Sequence, residues 1–319
     1  MRKILGTETE TETETRDGGG EDAGEPESAA AADYFNVLPE GCIAHIASLT
    51  TPRDACRLCL VSSIFRSAAD SDAVWERFLP PDCLSVISPS PPCPSKKDLY
   101  LSLSDRFVLI DRGTKSFSLD KGSGKKCYML SARSLSIVWG DTPRYWRWIP
   151  LPEARFEVVA ELISVCWFEI RGKIDISMLS PSTTYSANLV FKSTMGSYGF
   201  QHQPVEATVG LVGGETYLRP VYLDLDRGRR LRYQIVPRRL GLHLRSRYVG
   251  FEAPNPSETE NEHNHPKEGK DGWYEIELGE FFCDRGAQGE LEMSVSEVRG
   301  GDWKGGLIVQ GIEIRPKKA

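Results

Sequence analysis

Two spacings of apolar residues divide the chain. From residue 33 to 81 they recur at three-and-four intervals, and after Asp105 they alternate with polar residues. In the first stretch, Leu38-Pro39 opens a helical pattern with Cys42, Ile43, Ile46 and Leu49 along one face. Thr51-Pro52-Arg53-Asp54 predicts a second start: a capping hydroxyl, a proline suited to the first turn, and an acid at the capping-box position. From there Ala55, Leu58, Cys59, Ser62 and Phe65 share a face, and Cys56, Leu60 and Ile64 form another. Ser71 is placed to cap a third helix carrying Val74, Trp75 and Phe78, closed by Pro80-Pro81. Three short helices with two apolar faces do not enclose a core of their own, so a partner surface is expected.

The second pattern has period two. Tyr185, Ala187, Leu189 and Phe191 alternate with polar or smaller neighbours, as do Val205, Ala207, Val209 and Leu211, and Leu291, Met293 and Val295. Val165–Ile170 is apolar on both faces and predicts a central strand. Strands separated by Gly, Pro and Ser turns point to an antiparallel sandwich. Pro254–Asp271 is expected to be a long loop in it. The organisation expected is a disordered acidic tail (1–32), helices (33–81), a connector (82–104) and a β-sandwich (105–319).

Charge changes this picture at one end only. The net charge is −6, but residues 1–33 hold ten acids against Arg2, Lys3 and Arg16, and the remainder is close to neutral. Nucleic acid is therefore not an expected partner. No apolar segment follows Arg2 and Lys3, and no run is long enough to span a bilayer, so neither secretion nor a membrane is expected. The eight cysteines lack a disulfide framework and suit a reducing compartment, cytoplasm or nucleus.

The helical part carries a resemblance. Leu38-Pro39-Glu40-Gly41-Cys42-Ile43, Asp54-Ala55-Cys56-Arg57-Leu58, Val61-Ser62-Ser63-Ile64-Phe65-Arg66 and Val74-Trp75-Glu76-Arg77-Phe78-Leu79 resemble the F-box of plant proteins. The resemblance implies that Leu38, Pro39, Ile43, Ile46 and Leu60 dock a Skp-type adaptor, and through it a cullin scaffold. Leu58, Phe65 and Trp75 read instead as packing between the helices.

The strand-built part carries another. Ile137-Val138-Trp139-Gly140-Asp141-Thr142-Pro143-Arg144-Tyr145-Trp146-Arg147-Trp148, Val165–Ile174, Asp271–Ile276 and Gly311–Pro316 are similar to the phloem-protein-2 family, which includes the tobacco nucleocytoplasmic lectin. The resemblance implies a jelly-roll-like sandwich that binds N-acetylglucosamine oligomers or N-glycan cores, with Trp139, Trp146, Glu290 and Glu297 in the site. The fold expected is thus multidomain α + β, a three-helix F-box followed by an antiparallel jelly-roll-like β-sandwich.

A pyranose has an apolar face of C–H groups and a rim of hydroxyls, so a lectin needs an aromatic plane beside polar groups. Trp139, Tyr145, Trp146 and Trp148 supply four aromatics around the turn Gly140–Pro143. Trp139 ends a strand-like run and also fits a core role. Trp146 is the preferred platform. Glu290 and Glu297 are seven residues apart, roughly 23 Å in an extended strand and on opposite faces, so one small site cannot easily use both.

Other motifs carry less. Cys56-x-x-Cys59 has no second ligand pair, His263 and His265 lie in a polar loop, and Gly122–Lys126 lacks phosphate-loop spacing. No cofactor or metal is expected. The basic stretch Arg227–Arg247 reads as a solvated loop or strand edge. The function expected is a non-catalytic substrate-recognition subunit of an SCF-type cullin ubiquitin ligase with glycan or glycoprotein clients. The alternative keeps the ligase role with a β-domain that binds protein or peptide clients and no sugar. A glycosidase needs a carboxylate pair across a cleft, which Glu290 and Glu297 do not supply.

Overall fold

A computed structural model of the chain describes residues 38–87, 93–201, 203–225, 264–269 and 271–317. The acidic tail, the stretch Arg227–Arg247, His263 and most of the Pro254–Asp271 segment lie outside the described residues.

Among the described residues six α-helices come first: α1 (Glu40–Ser48), α2 (Pro52–Leu58), α3 (Ser63–Asp70), α4 (Asp72–Phe78), α5 (Cys83–Val86) and α6 (Lys96–Asp105). Thr51 caps α2 as its sequence predicts, its Oγ1 accepting from Asp54 N at 3.2 Å. The apolar pattern that runs on to Phe65 is not one helix, however. The chain leaves α2 at Cys59 and restarts at Ser62, whose hydroxyl accepts from Phe65 N at 3.3 Å. A serine inside an amphipathic run competes for backbone donors and here opens a new helix. Ser71, expected to cap, makes no side-chain cap bond to α4.

Fourteen strands follow among the described residues, all paired antiparallel. In chain order they are β1 (Val108–Ile110), β2 (Lys115–Leu119), β3 (Lys126–Ser131), β4 (Ser136–Ile137), β5 (Trp146–Ile149), β6 (Val159–Leu162) and β7 (Phe168–Asp175). Then come β8 (Thr183–Tyr198), β9 (Val205–Leu211), β10 (Thr216–Val221), β11 (Lys267–Glu268), β12 (Tyr274–Cys283), β13 (Glu290–Glu297) and β14 (Gly305–Pro316). One sheet runs β1-β2-β3-β14-β8-β12-β11, with β6 and then β5 joined through β14; the other runs β10-β9-β13-β7-β4.

The sandwich core lies between the sheets. Phe168, Ile170, Ile174, Leu291, Met293, Val295, Ala207 and Val209 face Leu130, Leu189, Phe191, Ile312 and Ile314 in a single apolar cluster. The sheets approach so closely at Gly172 that a Cβ there would lie 2.9 Å from Leu135 Cδ2 and 3.2 Å from Ile312 Cδ1. Glycine is the residue that fits.

The helices are not strung loosely from this sandwich. Trp75 is fully buried, donates Nε1–H to Ala69 O at 2.7 Å, and lies 5.1 Å from the Tyr100 ring of α6. The Tyr100 hydroxyl donates to Asp120 O and Lys121 O, each at 3.2 Å, in the β2–β3 turn. Lys126 of β3 is buried and pairs at 2.7 Å with Asp82, between α4 and α5. Helices and strands thus share one core.

Candidate functional site

The outer face of the five-stranded sheet is a polar surface whose rows follow from register. Ser136, Arg171, Ser294, Thr208 and Leu218 are successive cross-strand partners from β4 to β10. The next row is Val138, Glu169, Ser296, Glu206 and Pro220, with Val138 N donating to Glu169 O at 3.1 Å. These residues have the opposite parity to the core-facing Ile170, Val295 and Ala207. The hydroxyls of Thr208 and Ser294 meet at 2.7 Å, direct evidence that they share this face.

At one corner stands Trp167, just before β7 and 46 % exposed. Its Nε1–H donates to Glu169 Oε2 at 2.9 Å, and Glu169 Oε1 accepts from Arg171 Nε at 2.5 Å. The bond from Trp167, reinforced by Arg171 against the cost of partial burial, holds the Glu169 carboxyl below its ordinary value. Lys173 continues the file and pairs with Glu292 at 3.2 Å. At the β9–β10 side a cleft of about 420 Å³ is lined by Gln203, Glu206, Leu218, Pro220, Ser296 and Arg299, among others. Its size suits a small ligand.

The four residues implied for sugar binding do not converge. Trp146, the preferred platform, is only 2 % exposed: its ring stacks on Phe168 and its Nε1–H donates to Val138 O at 3.2 Å. No ring face is left for a sugar. Trp148 does the same to the other end of the turn, donating to Gly140 O at 3.0 Å beneath the guanidinium of Arg133. Between these two anchors Trp139 is 41 % exposed, with its ring 5.1 Å from Tyr145. Its φ of 57° is a left-handed conformation that a tryptophan holds only when its surroundings fix it. The core role considered for Trp139 thus falls to Trp146.

The glutamates divide as their parity requires. Pairing of β13 with β7 is unbroken from Glu290↔Asp175 to Glu297↔Phe168. Glu290 is therefore outward, 3.8 Å from Lys173, at the end of the sheet remote from Trp167. Glu297 points inward and pairs with the buried ammonium of Lys304, while its Oε1 accepts from Gly300 N at 2.7 Å. Burial opposes its charge, but Lys304 and the backbone donors outweigh burial and hold its pKa low.

The helical segment presents a second surface. Ile46 (47 % exposed) on α1, Leu49 just after it, Leu60 (81 % exposed) and Val61 in the break between α2 and α3, and Ile64 on α3 are open to solvent; Leu38 and Pro39, just ahead of α1, are also exposed. Ile43, grouped with them in the sequence reading, faces the core. Leu58 and Phe65 are half-buried, and Trp75 is the helical anchor, in line with their packing role. The cysteines are free thiols, of which Cys83 and Cys283 are buried while Cys42 and Cys56 are exposed. Among the described residues no cluster of metal-ligating side chains occurs; the His265 ring stacks on Tyr222.

Comparison with known proteins covers both the helical and the strand-built parts of the chain. The family model for Phloem protein 2 matches residues 125–316, and an F-box-like model matches residues 35–80. The F-box protein PP2-B1 of Arabidopsis thaliana is 45 % identical over 92 % of this chain and 93 % of its own. F-box protein PP2-B10 of the same plant is 48 % identical over 89 % and 94 %. Among solved structures there is a remote likeness to TmCBM61 in complex with β-1,4-galactotriose (12 % identity, TM-score 0.26, covering 57 % of this chain and 87 % of that one). The CBM22-1 xylan-binding domain of Paenibacillus barcinonensis Xyn10C is similarly distant (11 % identity, TM-score 0.27, covering 59 % and 89 %). The chain belongs to the Phloem protein 2 family and is one of its F-box members.

Proposed function

We propose that the chain is a non-catalytic substrate-recognition subunit of an SCF-type cullin ubiquitin ligase, acting in the cytoplasm and nucleus. The F-box docks a Skp-type adaptor, and the β-domain binds glycan or glycoprotein clients. The observation that carries the reading is the open apolar surface of Ile46, Leu49, Leu60, Val61 and Ile64 on a segment matched by the F-box-like model. Aliphatic side chains left in water on three adjacent short elements form a docking surface. The shared core of helices and sandwich holds a client at a fixed place relative to the adaptor. Of the residues that the family resemblance implies for sugar, Trp139 and Glu290 are in contact with solvent, whereas Trp146 and Glu297 are buried.

Size-exclusion chromatography of the chain with a Skp-type adaptor and a cullin tests this. Co-elution of the three supports the reading, and separate elution of a folded chain sinks it. A complex that recruits clients through the β-domain without any sugar would establish the alternative, a receptor for protein or peptide clients.

A further inference from the structure

The outer face of the five-stranded sheet contains a tryptophan that the fold keeps exposed. A large ring at a surface gains by folding onto apolar neighbours, and each such burial is worth on the order of a few kcal/mol. Trp167 does not fold down. Its indole N–H is committed to Glu169, and Glu169 is committed in turn to Arg171, so ring, carboxylate and guanidinium form one file along β7. The Glu169 side chain is itself largely enclosed. This arrangement fixes the plane of the ring before any ligand arrives, which removes an ordering cost from binding.

The surroundings specify what such a plane receives. Ser294 and Thr208 lie in the Arg171 row, and Ser296 and Glu206 in the Glu169 row. Charges on this face are paired: Glu169 with Arg171, Glu292 with Lys173 at 3.2 Å, and Glu206 with Arg299 at 3.2 Å. With Glu290 also outward beside Lys173, the face has no positive excess to gather a polyanion. It offers one flat ring beside a grid of hydroxyls, carboxylate acceptors and guanidinium donors. A neutral pyranose matches that set, its C–H face against the indole and its hydroxyls along the grid. From β7 to β10 the rows cross three inter-strand steps of about 4.8 Å, the reach of a short oligosaccharide rather than of a single ring.

We infer that Trp167, Glu169 and Arg171 form a glycan-contact site on the outer sheet face, which takes a neutral oligosaccharide running from Trp167 across Ser296 towards the cleft at Glu206 and Arg299. The inference rests on the reading that the β-domain binds glycans and assigns that binding to residues other than the four the family resemblance implies.

The test uses the full chain and a panel of neutral oligosaccharides that includes chitotriose, with affinities measured by calorimetry. The wild type binds at least one member. Trp167→Ala weakens that binding roughly tenfold or more, the scale of a lost aromatic contact, while Trp167→Phe keeps most of it. Ser296→Arg, which fills the Glu169 row without entering the core, also abolishes binding; it keeps the test decisive if Trp167→Ala fails to fold. A wild type that binds sugar, with Trp167→Ala and Ser296→Arg folded and binding as tightly, overturns this site and leaves the glycan reading standing. A wild type silent across the panel overturns both.

Discussion

Glu297 and Lys304 form a buried ion pair that closes the loop between β13 and β14. Lys304 Nζ also donates to Asp302 O at 2.6 Å and Cys166 O at 3.4 Å. Backbone bonds between Val165 and Lys304, at 2.9 and 2.8 Å, tie the same loop to the segment that leads into Trp167. A carboxylate so placed has its oxygens engaged by the protein. Its work is to position the loop.

Glu297→Ala therefore acts on stability. Removing one partner strands the Lys304 ammonium in the interior, at a cost of about 3–5 kcal/mol. Urea denaturation of the variant should show a loss of that size. Glu290→Ala, at an exposed position 3.8 Å from Lys173, should change stability by less than about 1 kcal/mol. Equal effects from the two would contradict the assignment of inward and outward roles.

Trp146 and Trp139 make a second contrast. Trp146→Ala empties a filled site against Phe168 and frees the carbonyl of Val138, at a cost of about 3–5 kcal/mol. Trp139→Gly relieves a left-handed backbone and should be near neutral or mildly stabilising, since glycine adopts that region without the steric cost. Thermal melts of the two variants should separate clearly.

Acid should loosen the β13–β14 loop and the Trp167 file together. Glu169 and Glu297 both have folded pKa values below the ordinary 4.5. A depressed carboxylate contributes stability that is present above its unfolded value and lost as pH falls through the folded one. The melting temperature should therefore hold level from pH 7 to about 5 and fall below 4.5, with a shallower fall in Glu297→Gln. A fall that begins near pH 6 would point to another group.

Gly172 marks the closest approach of the sheets. Gly172→Val places methyl groups where a Cβ already meets Leu135, Leu130 and Ile312 within 3.2 Å, and overpacking of this kind costs about 1–3 kcal/mol or more. Circular dichroism melts of Gly172→Val against wild type measure it.

Much of this was legible in the sequence, for reasons that differ by element. Alternation fixed β8, β9 and β13, because period two survives wherever a strand is straight and half-buried. It also places Glu290 and Glu297 on opposite faces, and they lie so because β13 carries no bulge. The division of Trp139 from Trp146 was not legible. The turn between them breaks parity, and which ring enters the core depends on the carbonyls of Val138 and Gly140. The break at Cys59–Ser62 was masked by a helical pattern that continues through it. Alternation outward from Ile170 puts Trp167, Glu169 and Arg171 on one side, but Val165, Cys166, Trp167 and Phe168 are apolar at both parities, which hides the outward face in the sequence.

The most direct test of the account as a whole is calorimetric titration of a Skp-type adaptor into the full chain and into Leu60→Asp. The account predicts tight one-to-one binding by the wild type and a loss of at least about tenfold in Leu60→Asp, a hot-spot effect, with no drop in melting temperature because Leu60 is 81 % exposed. Equal affinity in both proteins, or no binding by a folded wild type, would contradict it.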